Sequence, residues 1–157
     1  MPKIFCFRTL VAIGILVVAP ALSAAPTKAG RDDCQFNVPT GWQDSSVIWD
    51  GACAAGMANG QGVLRGYRKG ASTRLFFGRM KQGGLSLGVI EADGGYIAGQ
   101  FVDGVAVPNP ERGIVIKAFE SGSAAAKALG QRLKQAKKAD SSAFYLHKAQ
   151  ELEQQMD

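Results

Sequence analysis

Few residues in this chain could do chemistry. There is one histidine, His147, and there are three cysteines, Cys6, Cys34 and Cys53. No Ser-His-Asp set can be assembled around His147 from sequence context. The glycine-rich runs match neither Gly-x-Gly-x-x-Gly opening a helix nor a phosphate-binding loop. Asp50, Glu91, Asp93 and Asp103 could supply a carboxylate pair of the kind sugar hydrolases use, one acting as acid and one as base or nucleophile. All but Glu91 stand beside turn glycines, where aspartate serves local hydrogen bonding. Cys34, Cys53 and the distant His147 make a poor metal set. This inventory points to a non-enzymatic protein with no catalytic residue, no metal and no cofactor.

What the cysteines do depends on the N-terminus. Lys3 and Arg8 flank the start, Leu10 to Val18 is an unbroken apolar run, and Pro20 precedes the small residues Ala21-Leu22-Ser23-Ala24-Ala25. That is the layout of a secretory signal peptide. The apolar run is shorter than the roughly 20 residues that span a bilayer. Residues 1–24 are therefore expected to be removed, by cleavage near Ser23 or Ala24, placing the mature protein in a periplasmic or secreted setting. Cys6 leaves with them. Cys34 and Cys53 then most simply form one disulfide, as suits an exported chain; two buried free thiols are the alternative.

Charge separates partner classes. The chain has 18 basic and 13 acidic residues, and loss of Lys3 and Arg8 lowers the net charge from +5 to +3. No arginine-rich run interleaved with aromatics is present, so nucleic acid is not an expected partner. Arg65, Arg68, Lys69, Arg74, Arg79 and Lys81 cluster along the middle of the chain. They read either as edge charges that block sheet aggregation or as a contact for anionic lipid or polymer.

The elements that must position these residues lie between Ile48 and Gly104, which holds 14 of the 20 glycines. Aromatic and β-branched residues alternate with these glycines, as in short strands joined by hairpins. Strands are predicted at Ser46–Cys53, Gln61–Arg68, Thr73–Met80, Leu85–Glu91, Gly95–Phe101 and Gly113–Phe119. Turns are predicted at Ala58-Asn59-Gly60, Lys81-Gln82-Gly83-Gly84 and Val102-Asp103-Gly104, where glycine accepts positive φ without steric cost. Gly51, Gly78 and Gly99 occupy equivalent places in three successive units.

The first unit, Trp49-x-Gly51-x-Cys53-x-x-Gly56-x-x-x-Gly60-x-Gly62-Val63-Leu64, resembles a MORN (membrane occupation and recognition nexus) repeat. It keeps all four glycines of that pattern and has Cys53 where an aromatic is usual, a departure that pairing with Cys34 would explain. The second unit keeps Phe76, Gly78 and Gly83, with Leu87 and Val89 at expected glycines and Gly88 between them. The third keeps Gly99, Phe101 and Gly104. The resemblance covers residues 48 to 105. It implies an elongated, twisted antiparallel sheet of successive hairpins with an interaction role. Without it, the same segments are ordinary hairpins of a small β-domain.

Around this sheet, Pro26 to Asp33 reads as a disordered lead and Gln35 to Trp42 as a loop or edge segment, with Phe36 and Trp42 covering the sheet end. Beyond Glu120 the residues favour helix. Ser123 is a plausible N-cap. Ala125, Leu129, Leu133 and Ala136 form one apolar stripe; Tyr145, Ala149, Leu152 and Met156 form another, out of phase with the first. A helical hairpin over Ala124–Ala139 and Ser142–Gln155 is expected, with one long stuttered helix as the alternative. The chain thus divides into a signal peptide (1–24), an N-terminal loop segment (25–47), a MORN-like hairpin domain (48–119) and a helical segment (120–157).

The fold class expected is mainly β with a C-terminal α part: an antiparallel sheet of MORN-like hairpins followed by one or two helices. The function expected is an exported interaction or scaffold module using the sheet as its binding surface, with another envelope or secreted protein as partner. Peripheral binding to an anionic membrane or envelope polymer is the alternative, and a small carbohydrate-active or hydrolytic enzyme comes third.

Overall fold

The computed structural model describes residues 27–157, so the expected signal peptide lies outside the described residues. Eight strands form one curled sheet: β1 Lys28–Arg31, β2 Cys34–Asn37, β3 Ser46–Ala54, β4 Met57–Arg68, β5 Ala71–Lys81, β6 Gly84–Ala92, β7 Gly95–Val102 and β8 Val105–Ala106. Two helices follow, α1 Arg112–Gln135 and α2 Ala139–Gln154. The chain is mainly β with a C-terminal α part. Strands β3 to β8 form an antiparallel meander, and β2 adds a parallel pairing to the start of β4.

Tight turns build the meander. Ala55-Gly56, Lys69-Gly70, Gln82-Gly83 and Asp103-Gly104 each hold two successive residues at positive φ, the type I′ geometry whose twist matches that of the strands it joins. Gly56, Gly83 and Gly104 are the glycines five positions after Gly51, Gly78 and Gly99. The turn expected at Ala58-Asn59-Gly60 is not one: these residues lie within β4, and the chain reverses earlier, at Ala55-Gly56. Ala-Gly is an uncommon I′ pair, which hid the true turn.

The register sets five glycines in a row across the sheet. Gly51 pairs with Gly62, Gly62 with Gly78, Gly78 with Gly88 and Gly88 with Gly99. Gly88 takes the place sought at Leu87 or Val89, and the register of β5 on β6 shifts between Arg79 and Met80.

Both sheet faces are covered. Val63, Phe77 and Val89 stand opposite one another on one face and meet Ala118, Ala126, Leu129 and Leu152 of the helices. Leu64, Phe76 and Ile90 do the same on the other face and meet Phe36 and Trp42. Strands buried on both sides carry apolar residues in adjacent pairs instead of alternating them, which is why β4, β5 and β6 read Val63-Leu64, Phe76-Phe77 and Val89-Ile90. Each such side chain contributes about 1.5–3 kcal/mol when fully buried.

The second cover is a correction. Residues 28–37 form the β1–β2 hairpin, not a disordered lead. The segment then runs across the sheet as a strap: Trp42 is buried, Arg74 donates to the Gly41 carbonyl, and the Thr40 hydroxyl donates to the Asp103 carbonyl at 3.3 Å. Phe36 and Trp42 cover a face as well as an end. Its ordering is tertiary: the backbone N–H of Gln35 donates to Gly56 O at 2.9 Å and that of Asn37 to Gly83 O at 2.8 Å. The Cys34–Cys53 disulfide joins β2 to β3, with Cα atoms 5.6 Å apart.

The helices form a hairpin, and α1 starts earlier than expected. Gly113–Phe119 is its first two turns and not a strand. Gly-Ile-Val-Ile fits a strand by propensity. Burial of Ala118, Phe119, Gly122, Ala125, Ala126 and Leu129 at helical spacing against the sheet decides otherwise. Ser123 is therefore mid-helix, donating to Glu153 Oε1 at 2.9 Å. The helical segment begins at Arg112 instead of residue 120. No described helix is long and apolar enough to cross a membrane.

Candidate functional site

The four carboxylates considered for acid–base chemistry do not converge. Asp50 and Glu91 lie on β3 and β6, three strand spacings or about 14 Å apart, outside the roughly 5–9.5 Å of glycosidase pairs. Each is also engaged. Asp50 accepts from Arg65 Nη2 at 3.3 Å and Arg132 Nη2 at 3.1 Å. Glu91 accepts from Lys148 Nζ at 2.8 Å, and Lys148 also pairs with Glu151. Burial of Lys148 works against its charge, but the bonds to Glu151 and Glu91 outweigh it and hold its pKa above the ordinary lysine range. Asp93 and Asp103 sit in turns. His147 is exposed on α2 beside Glu151.

The six basic residues considered for anion contact do not form one edge. Arg68 pairs with Asp44 and Arg74 bonds Gly41, both at the strap. Lys69 is in the β4–β5 turn. Arg79 and Lys81 are exposed towards the opposite end of β5, roughly 17 and 24 Å from Arg74 by strand rise. Arg65 points to the helix side, onto Asp50.

The repeat-motif residues are largely interior. Phe76 and Phe101 are buried and stack edge-to-face with centroids 5.6 Å apart. Trp49 lies over Gly51 and Gly62, and Phe76 over Gly78 and Gly88. Covered on both faces, the sheet offers its edges.

One edge is open. Among the described residues, the nine-residue strand β3 pairs with one strand, β4, while its Asp50 carbonyl accepts from Arg132 Nη2 at 3.2 Å and its Ala52 carbonyl from the Trp49 indole at 3.1 Å. Its Ile48 is 47% exposed. A groove of about 480 Å³ runs beside it, walled by Phe36, Val47, Trp49 and the disulfide on the apolar side and by Arg31 and Arg132 on the basic side. Ser46–Ala54 contains no lysine and no proline, the residues that usually blunt an exposed edge.

A second concavity, about 440 Å³, opens where the helical hairpin overhangs β3 and β4. The Asp50–Arg65 pair lines it, with Tyr67, Phe144 and Tyr145 as aromatic walls and Lys138, Asp140 and Ser141 at its helical side. Burial pushes the Tyr145 phenol up, opposed by the nearby Arg65 guanidinium. Arg65 Nε is buried and has no hydrogen-bond partner among the described residues. Tyr67, Lys138 and Phe144 carry no local motif. Only the packing of the helices against β4 gathers them, so nothing in the sequence marked the cleft.

The chain matches no family model, no curated protein and no solved structure.

Proposed function

We propose that this protein is an exported, non-catalytic interaction module that takes an extended segment of another envelope or secreted protein along the free edge of β3. The observation that carries this reading is the nine-residue β3, paired with a strand on one side only among the described residues and flanked by a ready groove. An added strand would gain main-chain hydrogen bonds from that edge, and its side chains would meet the apolar wall at alternate positions. The two arginines of the groove are each paired, Arg31 with Asp33 and Arg132 with Asp50, so the apolar wall is what would recognise the incoming segment. The resemblance to MORN repeats supports an interaction role. The disulfide suits an oxidising, non-cytoplasmic compartment, and export would be directed by residues 1–24.

The test compares immobilised residues 25–157 with Ile48→Lys and Val105→Lys variants against envelope extract. Wild type and Val105→Lys should retain the same protein through a high-salt wash, and Ile48→Lys should lose it. Bound partner should also slow amide hydrogen exchange along β3. Equal retention by Ile48→Lys would overturn the assignment of this edge. Retention of anionic lipid or polymer alone, lost in salt, would favour surface electrostatics instead.

A further inference from the structure

Helix α1 buries Ala118, Gly122, Ala125 and Leu129 against the rest of the fold and turns its opposite side to solvent. On that side stand Lys127, Gln131 and Lys134, spaced so that they share one face. Lys137 and Lys138 follow in the turn before α2, both exposed. We infer that this basic ridge seats the protein on an anionic phospholipid surface.

Charge is the first observation. Lys127, Arg132, Lys134, Lys137 and Lys138, set against Asp140, give residues 127–141 a net charge of +4. Residues 25–157 hold 16 basic and 13 acidic residues, a net +3, so everything outside that stretch sums to −1. Lys127, Lys134, Lys137 and Lys138 have no ion-pair partner among the described residues. Cations in the last turn of a helix complement its dipole. That accounts for Lys134 but not for Lys127, which stands well before the end of α1 at Gln135.

Shape is the second. The ridge is the outer side of a helix, and Lys127, Lys134 and Lys137 line neither of the two concavities. Threaded polyanions are held in basic grooves, and protein interfaces are anchored by large aromatic or apolar side chains. Between Lys127 and Lys138 the exposed uncharged residues are Ala128, Gln131, Gln135 and Ala136. A helix touches a plane along a line, and Lys127 and Lys134 lie about 10 Å apart on such a line. Lipid headgroups present negative charge over a plane. With no bulky apolar side chain exposed to enter the hydrocarbon, the contact is electrostatic and reversible.

The ridge is distinct from the β3 groove. Arg132 stands about 140° round the helix from Lys127, where it holds Asp50 and lines that groove. A protein seated through its lysines therefore keeps β3 free for a partner.

The experiment is co-sedimentation of residues 25–157 with mixed phosphatidylglycerol–phosphatidylcholine vesicles and with pure phosphatidylcholine vesicles. The protein should bind the anionic vesicles at low salt and leave the neutral ones. Salt at about 1 M, which cuts the screening length to about 3 Å, should release it. Each lysine near an anionic surface contributes roughly fivefold to affinity, so Lys127→Gln/Lys134→Gln/Lys138→Gln should bind about a hundredfold more weakly. These side chains are exposed, so the fold is retained, as circular dichroism will check. Lys69→Gln/Arg79→Gln/Lys81→Gln removes the same charge elsewhere on the surface and should bind like wild type. Ile48→Lys should keep vesicle binding while losing the protein partner, which separates this test from that of strand addition. Equal binding to neutral vesicles, undiminished binding by the folded ridge variant, or equal loss in the two triple variants would each overturn the inference. Capture of polyphosphate chains without binding to the vesicles would assign the ridge to a soluble polymer and overturn the bilayer.

Discussion

Gly62 of β4 stands directly opposite Gly51 of β3, and the indole of Trp49 lies over both. The indole N–H donates to the Ala52 carbonyl at 3.1 Å, which fixes the ring there. A side chain on either glycine has nowhere to go. A Cβ added to Gly62 would meet the Trp49 ring at 2.6 Å and the Gly51 backbone. Phe76 covers the next two glycines of the row in the same way. The glycines are thus the floor on which the aromatics lie. Gly62→Ala should destabilise the fold by about 2 kcal/mol or more, as overpacking does. The control is Gly84→Ala, where the nearest atom is 3.6 Å away and the change should stay within about 0.5 kcal/mol. Urea unfolding of both variants checks this.

The disulfide closes a loop across a separation of 19 residues. In the chain-entropy model a loop of this size contributes about 3 kcal/mol. The double variant Cys34→Ala/Cys53→Ser should lose about that amount, and reductant should shift the wild-type urea midpoint but not that of the variant. Equal midpoints with and without reductant would show that the strap is held by packing alone.

Lys148 is 8% exposed and joins Glu91 of the sheet to Glu151 of its own helix. Lys148→Met should cost about 2 kcal/mol, because Glu91 is left part-buried without its cation. The pH dependence follows from the two shifted groups. The bond to Lys148 holds Glu151 below its ordinary 4.5, against the opposing effect of burial. Its contribution is present above 4.5 and fades as pH falls through the lowered value. Lys148 is raised above its ordinary 10.5. Its contribution is complete below 10.5 and fades as pH climbs past that. The gap between wild type and variant should therefore be flat from about pH 5 to 10 and shrink in acid, as measured by thermal melts across that range.

Gly130 of α1 lies directly against Leu146 of α2. Alanine would ordinarily favour a mid-helix glycine site by about 1 kcal/mol. Here its Cβ would meet Leu146 Cγ at 2.8 Å and the Leu146 backbone nitrogen at 3.1 Å. The Ser142 hydroxyl donates to Gly130 O at 2.8 Å in the same contact. The clash should win, and Gly130→Ala should lower stability by about 1–2 kcal/mol. A rise in melting temperature would show that the hairpin can open without cost.

The central strands were legible because their signals are local. Gly83 and Gly104 end strands five residues after Gly78 and Gly99, and turn glycines of this kind need no distant partner to be recognised, whereas the Ala55-Gly56 turn was hidden because Ala-Gly is an uncommon pair there. Residues 28–37 were not legible, because their strand pairing depends on Gly56 and Gly83, which are remote in sequence. Gly113–Phe119 suits either period, and only contact with the sheet selects helix. The basic residues looked like one cluster because sequence proximity ignores the length of β5 and the two faces of β4. The cleft was invisible for a related reason. Asp50 and Phe144 belong to segments with no shared pattern, and the hairpin that brings them together is a tertiary arrangement.

The strap imposes an order on assembly. Thr40 reaches Asp103, 63 residues later in the chain, and Phe36 and Trp42 rest on a surface made from β4 to β7. Hairpins closed by two-residue turns can form from neighbouring residues alone. The segment synthesised before them has no surface to lie on until all of them exist. The first residues of the domain to emerge are thus the last to find their place, and until then one complete face of the sheet is bare. Such long-range closure slows folding relative to a local meander. It also marks the interval before the strap seats as the time when aggregation competes most strongly with folding.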